Sequence, residues 1–401
     1  MSTEQSERQE THAWHICIAA GEASGDMQGA LLVDELRRRE PNLEFAGLGS
    51  TLMQDAGVRL VEDCRGLSAI GFIEAAKKFP RGFFTYHRLK RLVRSGWADL
   101  LILIDFPIVN LRLARYAKGR GFPVVYYFPP GAWTEKNKRA VHVARHSSKI
   151  ITPFPMSAKA YAEAGADVRF VGHPLIDTLR PGAERRQQKM APCDSSPVVA
   201  ILPGSRHHEI RHILPSLLAA ARIIKSEMPG AEFGVSVAPT ASREQIAAAA
   251  GRQGLNARIV AGTHELLETA HVALVASGTA TLEAAILGVP MVVVYRAGLI
   301  PYIHYRYLYQ TTLEAIGMPN ILAGGKIVPE LIQYEASPEG IAEAALRYLR
   351  DEEYASATTR RLGEAVSKLG NGGALRQAGD IIVAMLHSLP TRSRYRALGV
   401  P

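Results

Sequence analysis

The residues best suited to do chemistry lie at 276–283, where the sequence reads Ala-Ser-Gly-Thr-Ala-Thr-Leu-Glu. Apolar, largely β-branched runs flank them at 272–275 and 291–294. This pattern predicts a strand, a turn of small residues, a short helix and a second strand. The residues at the predicted helix start are Ser277, Gly278 and Thr279. Because unpaired backbone N–H groups and the helix dipole attract anions, this stretch is a candidate anion site.

Glu283 follows within the same predicted helix and suggests a different role. A carboxylate would not hold a phosphate, but it can accept hydrogen bonds from sugar hydroxyls, as acidic residues do with the ribose of a nucleotide. An anion site and a sugar-binding carboxylate together would form half of a nucleotide site. The alternative, which these residues leave open, is an ordinary helix start capped by Ser or Thr.

A second candidate anion site follows the apolar run 198–202. The sequence continues Pro-Gly-Ser-Arg, which places Ser205 and Arg206 at the opening of a predicted helix. Arg206 could bind a diphosphate through two parallel hydrogen bonds, with support from helix N–H groups. A solvent-exposed arginine is the alternative, but the position directly after a buried strand favours a phosphate contact. The adjacent His207 and His208 have neither the spacing nor the partners of a metal site.

Asp105 ends the apolar run 99–104, which is typical of a buried parallel strand. Ligands of open α/β sheets bind outside the carboxyl ends of such strands. Asp105 is therefore a candidate general base, with an N-cap of a helix at 109–118 as the alternative.

The first predicted strand, 14–20, ends in a glycine-containing turn that comprises Gly21, Glu22, Ala23, Ser24, Gly25 and Asp26. We expect the following helix to run from Ala30 to about Arg39. Glycine allows the backbone to approach a ligand or a neighbouring helix, and a strand-to-helix turn offers N–H groups to an anion. The spacing is neither a dinucleotide fingerprint nor a P-loop, so a structural role for the glycines stays open.

Composition sets the broad class. The chain has 401 residues, 47% of them hydrophobic and 21% charged, which suffices for two α/β domains with separate cores. Three scattered cysteines indicate neither a disulfide framework nor a zinc knuckle and fit a reducing cytoplasm.

The net charge of +9 indicates affinity for anions, but no nucleic-acid motif accompanies it. We see no apolar leader or membrane span and expect neither export nor membrane insertion.

Strands and helices alternate through two series of similar size, which predicts two Rossmann-like α/β domains that face a central cleft. We expect a ligand to bind between them. The predicted divisions are a disordered tail at 1–12, an N-terminal domain at 13–180, a linker at 181–197, a C-terminal domain at 198–370, and a C-terminal helix and tail at 371–401 that packs back on the N-terminal domain.

A basic amphipathic helix is predicted around 81–94, with Phe83, Phe84 and Tyr86 among arginines and lysines. Such a helix more commonly packs on a core with a solvated face, but it could also contact an anionic lipid surface.

Nine short segments spread along nearly the whole chain form a recognisable series, at 20–26, 71–74, Asp105-x-Pro107-x-x-Asn110, 172–173, 202–206, 276–283, 288–296, 319–324 and 328–331. In residues and in order they resemble the segments of the lipid-A-disaccharide synthase family, which consists of GT-B glycosyltransferases.

The resemblance implies an inverting transfer of 2,3-diacylglucosamine from UDP to the 6-hydroxyl of 2,3-diacylglucosamine 1-phosphate. Asp105 matches the family's proposed catalytic aspartate. Arg206 and the helix start at Gly278 and Thr279 would meet the charge of the departing UDP, with neither a metal nor another cofactor. Glu283 would hold the ribose. The residues that would line the cleft are Asn320 and the loop of Gly21, Glu22, Ser24, Gly25 and Asp26.

The resemblance also implies a setting. Both substrates carry acyl chains, so the protein would be cytoplasmic and peripherally bound to the inner membrane, with the basic helix at 81–94 as the contact. Nucleic acid is not an expected partner, and a homodimer is compatible with the sequence.

Departures from the family pattern cluster on the acceptor side. The family usually has Asp and Phe where this chain has Ile108 and Val109, and its tryptophan-rich motif is altered around Trp133. These changes keep open another acceptor or a non-catalytic UDP-binding relative. A UDP-sugar 2-epimerase is a third alternative, because such enzymes use the same two-domain architecture and UDP pocket.

Overall fold

A computed structural model describes residues 13–65, 67, 72–131, 138–189, 196–238, 241–296 and 315–389; for 72–80, 188–189 and 207–208 it describes only the backbone. The chain divides into two compact units. One comprises Met1–Pro174 and Gly373–Pro401, and the other comprises Leu175–Gly372.

The first unit contains a parallel seven-stranded sheet with the order β3-β2-β1-β4-β5-β6-β7. Its elements are β1 (His15–Ala20), α1 (Ala23–Arg39), β2 (Glu44–Gly49), α2 (Thr51–Asp55), β3 (Arg59–Asp63), α3 (Phe72–Arg94), β4 (Leu100–Ile104), α4 (Pro107–Lys118), β5 (Val124–Tyr127), α5 (Lys138–His146), β6 (Lys149–Thr152), α6 (Pro155–Glu163) and β7 (Val168–Phe170).

The second unit contains a parallel six-stranded sheet with the order β10-β9-β8-β11-β12-β13. Its elements are α7 (Pro174–Lys189), β8 (Val198–Leu202), α8 (His207–Glu227), β9 (Glu232–Val237), α9 (Arg243–Arg252), β10 (Ala257–Ala261), α10 (His264–Thr269), β11 (Val272–Ala276), α11 (Thr279–Ile286), β12 (Met291–Tyr295), α12 (Met318–Ala323), β13 (Glu330–Ile332), α13 (Pro338–Arg350) and α14 (Glu352–Ser367). A last helix, α15 (Ala374–Ser388), belongs to the first unit.

The central strands are apolar throughout because both faces of each sheet are covered. Every residue of β4 and β11 is buried. Continuous apolar runs, rather than alternating ones, are what parallel strands between two helical layers require. The prediction of two Rossmann-like α/β domains is therefore confirmed.

Helix α1 begins at Ala23, seven residues before the predicted start at Ala30. The prediction was wrong because the glycines serve helix packing as well as the turn. A Cβ on Gly25 would lie 3.3 Å from the Cβ of Ala20, and one on Gly29 would lie 2.7 Å from the sulfur of Met53. Without side chains at these positions, the helix can start directly after β1 and lie close to the sheet.

The first half of the segment expected as a linker, 181–189, is helical and forms the end of α7. The Arg186 side chain attaches this helix to the end of α10. Its guanidinium is buried and donates hydrogen bonds to the carbonyls of Leu267, Glu268 and Ala270, the last at 2.6 Å. These carbonyls lie at the C-terminal end of α10, where backbone carbonyls run short of intrahelical N–H partners. Burial lowers the pKa of Arg186 to about 10, so the group still carries its charge at neutral pH.

Helix α15 packs on α1 in the first unit. Its residues Ala378, Ile382 and Leu386 are fully buried in the core that α1 shares with the sheet. The Arg39 side chain adds hydrogen bonds to Asp380 and to the carbonyl of Arg376. None of the helices within the described residues is both long enough and apolar enough to cross a membrane.

Candidate active site and donor site

Each sheet reverses its strand order at one point, and Asp105 and the Pro-Gly-Ser-Arg turn directly follow strands at those two points. In the first sheet the reversal falls between β1 and β4, where Ala20 pairs with Ile104. In the second it falls between β8 and β11, where Leu202 pairs with Val275. Loops that leave neighbouring strands in opposite directions open a crevice, which is where ligands of such sheets bind.

At the first reversal, Asp105 and Phe106 follow β4 with left-handed backbone conformations, at φ values of 44° and 49°. Two consecutive non-glycine residues in this region are uncommon, and each costs about 1–3 kcal/mol. Phe106, rather than Asp105, occupies the N-cap position of α4 that was the alternative role for Asp105. Asp105 instead lies one residue earlier, at the carboxyl edge of the sheet.

Gly21 makes this conformation sterically feasible. A Cβ at position 21 would lie 2.0 Å from Cγ of the Phe106 ring. The ring therefore occupies the space that any other residue would need. The turn after β1 and the turn after β4 fit together, so Gly21 contributes to the site through its missing side chain.

The backbone of Asp105 is held by three neighbours. Its N–H donates to the carbonyl of Phe128 at 2.9 Å. Its carbonyl accepts hydrogen bonds from the hydroxyl of Tyr126 at 2.8 Å and from the Asn110 amide at 2.9 Å. Sequence reasoning missed Tyr126, since a tyrosine in an apolar strand gives no signal beyond packing.

The other residues expected to form the loop divide between helix and turn. Glu22 is the N-cap residue of α1, while Ser24, Gly25 and Asp26 lie in its first turn. The Asp26 carboxylate is buried and accepts hydrogen bonds from the N–H groups of Ser50, Leu52 and Met53, at 2.6, 3.1 and 3.3 Å. It therefore caps α2, and these bonds give Asp26 a structural role.

At the second reversal, Glu209 organises the Pro-Gly-Ser-Arg turn. Its buried carboxylate accepts hydrogen bonds from the N–H groups of Ser205 and Arg206, both at 3.3 Å, and from the Arg206 guanidinium at 2.8 Å. Gly204 has a φ of +98°, and a Cβ there would lie 2.6 Å from the same carboxylate. Sequence reasoning missed Glu209, although a glutamate three residues after an N-cap is a recognisable helix-start signal.

The start of α11 lies beside this turn. A Cβ on Gly204 would lie 3.4 Å from the Cβ of Ala276, which ends β11. Gly278 is the N-cap of α11, and both Gly278 and Thr279 are exposed. The Ser277 hydroxyl donates to the carbonyl of Ile316 at 3.2 Å, so it ties down the turn. The structure thus brings the two predicted anion sites together.

Glu283 is buried on α11 and has a partner that the sequence did not reveal. The hydroxyl of Thr263 donates a hydrogen bond to its Oε2, and His264 Nε2 lies 4.0 Å from the same oxygen. Among the described residues, its Oε1 makes no hydrogen bond. The carboxylate is thus fixed through one oxygen, and the other can still accept a hydrogen bond.

Asn320 is fully buried, and its amide has no remaining hydrogen-bonding capacity. It donates to the Val328 carbonyl at 2.9 Å and to Glu330 at 2.8 Å, and its oxygen accepts from the N–H groups of Ile327 and Val328. Glu330 also accepts from the N–H groups before α12. The Asn320 side chain therefore has a structural role here, in place of the predicted contact with UDP.

The acceptor-side departures fall in different surroundings. Ile108 is 51% exposed near the start of α4, whereas Val109 is buried in the core. The altered segment around Trp133 lies outside the described residues. Within the described part of the chain, no three His, Cys, Asp or Glu side chains are grouped as metal ligands would be.

Comparisons with known proteins place the chain in a family. The profile described as Lipid-A-disaccharide synthetase matches residues 16–381. A lipid-A-disaccharide synthase from Geobacter metallireducens is 36% identical over 375 residues, which are 92% of this chain and 97% of that protein. One from Myxococcus xanthus is 35% identical over 379 residues, 94% of this chain and 98% of that protein.

Solved structures with the same fold include enzymes of two kinds. A UDP-GlcNAc 2-epimerase from Neisseria meningitidis bound to UDP-GlcNAc has a TM-score of 0.58 at 14% identity, covering 94% of this chain and 100% of the other. The calicheamicin glycosyltransferase CalG4 has a TM-score of 0.58 at 18% identity, covering 94% and 99%. These likenesses show a shared fold alone. The sequence relatives are more informative, and they show that the chain belongs to the lipid-A-disaccharide synthase family of glycosyltransferases.

Proposed function

We propose that the protein transfers 2,3-diacylglucosamine from its UDP donor to the 6-hydroxyl of 2,3-diacylglucosamine 1-phosphate and releases UDP. The observation that carries this proposal is the position of Asp105, which lies at the strand-order reversal of the first sheet in a chain of this family.

Asp105 would act as the general base. As the acceptor oxygen attacks the anomeric carbon, its proton passes to the Asp105 carboxylate, and the bond from that carbon to the UDP oxygen breaks. A positioned carboxylate typically contributes about 10²–10⁴-fold to such a step. Direct displacement inverts the configuration at the anomeric carbon.

The second unit would bind the donor. Arg206 and the N–H groups at the exposed start of α11 are donors that can meet the negative charge that develops on the departing diphosphate. Glu283, held by Thr263 through one oxygen, would accept hydrogen bonds from the ribose through the other. Ser205 and Ser277 would shape the two turns that hold these groups.

A transferase assay tests the proposal. Purified protein is given UDP-2,3-diacylglucosamine and the 1-phosphate acceptor, with and without EDTA, and disaccharide and UDP are measured. We expect both products, retained activity in EDTA, and a loss of about 10²–10⁴-fold in kcat on Asp105→Asn. Full activity of Asp105→Asn would remove the base assignment, and abolition by EDTA would contradict metal-independent transfer.

Two control incubations separate the alternatives. NMR of the UDP-sugar without acceptor would reveal inversion at C2 if the protein were a 2-epimerase. Calorimetric binding of UDP with no turnover of several acceptors would identify a non-catalytic relative. Disaccharide formation only with a different acceptor would keep the reaction class and change the substrate.

We further propose that α3 docks the protein on the cytoplasmic face of the inner membrane. Phe83 and Phe84 are 47% and 62% exposed. Arg91 and Arg94 are exposed as well, and the helical repeat places them on the side of Phe84 and Phe83. Exposed aromatic rings beside cations suit an anionic lipid surface. The Tyr86 ring, by contrast, packs partly against the core.

A further inference from the structure

Tyr126 is fully buried on β5, in the core cluster on one face of the first sheet. It pairs in register with Leu103 of β4, two residues before Asp105. Its hydroxyl donates to the Asp105 carbonyl at 2.8 Å. A phenylalanine at this position would make the same apolar contacts. The hydrogen bond of the Tyr126 hydroxyl therefore requires a separate explanation.

Asn110 donates a hydrogen bond to the same carbonyl. The NH₂ group of its buried amide lies within hydrogen-bond distance of three carbonyls, those of Asp105 at 2.9 Å and of Ile104 and Ala19 at 3.2 Å, which share its two protons. Ala19 belongs to β1 and Ile104 to β4, so one amide bridges the two strands of the reversal. Tyr126 and Asn110 thus converge on one peptide group.

The backbone conformation at Asp105 fixes the direction of its Cα–Cβ bond. The left-handed conformations at Asp105 and Phe106 are unfavourable for residues with a Cβ, so a relaxed backbone would turn the carboxylate elsewhere. Such outliers persist only where neighbouring contacts determine them. Here the contacts are two hydrogen bonds to the carbonyl, and burial raises the pKa of Tyr126 well above its usual value, which keeps its hydroxyl a neutral donor.

We propose that Tyr126, with Asn110, is a positioning residue for transfer, which locks the Asp105 peptide so that the carboxylate meets the acceptor hydroxyl. This inference builds on the proposed role of Asp105 as base. Misplacement of a reacting group by about 1 Å can cost about 10²-fold in rate. Loss of the hydroxyl therefore lowers kcat, while donor binding in the second unit is unaffected.

Tyr126→Phe is the test, and Tyr127→Phe is its matched control. Tyr127 is the next residue of the same strand and is fully buried in the cluster on the opposite face. Its hydroxyl has no hydrogen-bond partner among the described residues. We expect Tyr126→Phe to lower kcat by about 10–100-fold with an unchanged KM for the UDP-sugar. We expect Tyr127→Phe to keep the parent kcat.

A double mutant distinguishes positioning from general weakening of the fold. If Tyr126 acts through Asp105, then Tyr126→Phe combined with Asp105→Asn is no slower than Asp105→Asn alone. Additive losses, or equal kcat for Tyr126→Phe and Tyr127→Phe, would overturn the inference while leaving the base assignment intact. Full activity of Asp105→Asn would instead overturn the base assignment. Should Tyr126→Phe not fold, Asn110→Ser removes the other donor and carries the same expectations.

Discussion

The carboxylate of Glu209 holds Arg206 twice, through a hydrogen bond to its backbone N–H and another to its guanidinium. The guanidinium is thus held in one position before any ligand arrives, so little side-chain entropy would be lost on binding. We predict that Arg206→Ala weakens UDP binding by about 1.5–3 kcal/mol, the range for a hydrogen bond to a charged group. Isothermal calorimetry with UDP measures this.

The control for that experiment is Arg211→Ala, which removes an exposed arginine from the same helix, α8. A general loss of positive charge would weaken UDP binding equally in both variants. Unchanged affinity in Arg206→Ala would exclude Arg206 from the donor site.

Glu283 provides a second test of the donor site. We predict that Glu283→Gln weakens UDP binding less than Arg206→Ala does, by about 0.5–1.5 kcal/mol, because the amide oxygen still accepts one hydrogen bond from the ribose. The parent protein should bind UDP more tightly than 2′-deoxy-UDP, and Glu283→Gln should narrow that difference. Equal binding of the two nucleotides by the parent would argue against a ribose contact.

Much of this architecture follows from local pattern. Asp105 could be placed at the carboxyl edge of a sheet because β4 is apolar and terminates at a carboxylate. The turn at Arg206 and the start of α11 could be recognised for the same reason. In a parallel sheet, a residue that directly follows a strand always lies at the carboxyl edge of the sheet.

The remainder depends on contacts between distant parts of the chain. Asp26 looks like a loop residue until α2 is present to be capped, 24 residues later. The Asn320 amide uses its full hydrogen-bonding capacity only because Glu330 accepts one of its bonds. The conformation at Phe106 depends on the absence of a side chain at Gly21. No periodicity encodes such pairings, because tertiary contacts rather than local preference fix them.

The structural role of Asn320 leads to a prediction that separates folding from binding. Asn320→Ala would leave two N–H groups, a carbonyl and the Glu330 carboxylate without this partner in a buried place. We predict a loss of about 2–4 kcal/mol in the free energy of unfolding, measured by urea titration. UDP affinity, measured well below the melting temperature, should stay unchanged. Lost affinity with unchanged stability would restore Asn320 to the donor site.

For membrane docking, the structure shows which arginines of α3 should be tested. Arg88 is ion-paired with Glu62, so its charge is partly neutralised, while Arg91 and Arg94 are exposed. We predict that the protein co-sediments with anionic but not zwitterionic vesicles, that salt weakens binding, and that Arg91→Glu with Arg94→Glu reduces it. Each basic residue near the surface contributes about 1 kcal/mol.

A matched double variant for the docking experiment is Arg360→Glu with Arg361→Glu, which changes the same charge on exposed positions of α14 in the other unit. Equal loss in both variants would indicate net charge rather than a docking helix. Phe83→Ser with Phe84→Ser should also reduce binding, and that loss should persist at high salt. Vesicle binding as strong as the parent's in every α3 variant would exclude α3 as the membrane contact.

We predict that His173 makes the folded state less stable at acidic pH. The imidazole is buried near the rings of Phe128 and Phe154, and burial lowers its pKa to about 3. In the unfolded chain the group protonates near a pKa of about 6.5. Above that pH both states bind no proton and His173 adds no pH dependence. As the pH falls from about 6.5 towards 3, only the unfolded state takes up the proton, so stability is lost.

The linkage relation sets the size of that effect. Between pH 7.5 and 5, the free energy of unfolding should fall by about 2 kcal/mol on account of His173 alone. His173→Gln removes the titrating group, so its unfolding free energy should decline less over this range than that of the parent. His87→Gln, at an exposed position of α3, should retain the parent's decline. Urea titrations at the two pH values measure all three proteins, and an equal decline in His173→Gln and the parent would show that another group causes the acid sensitivity.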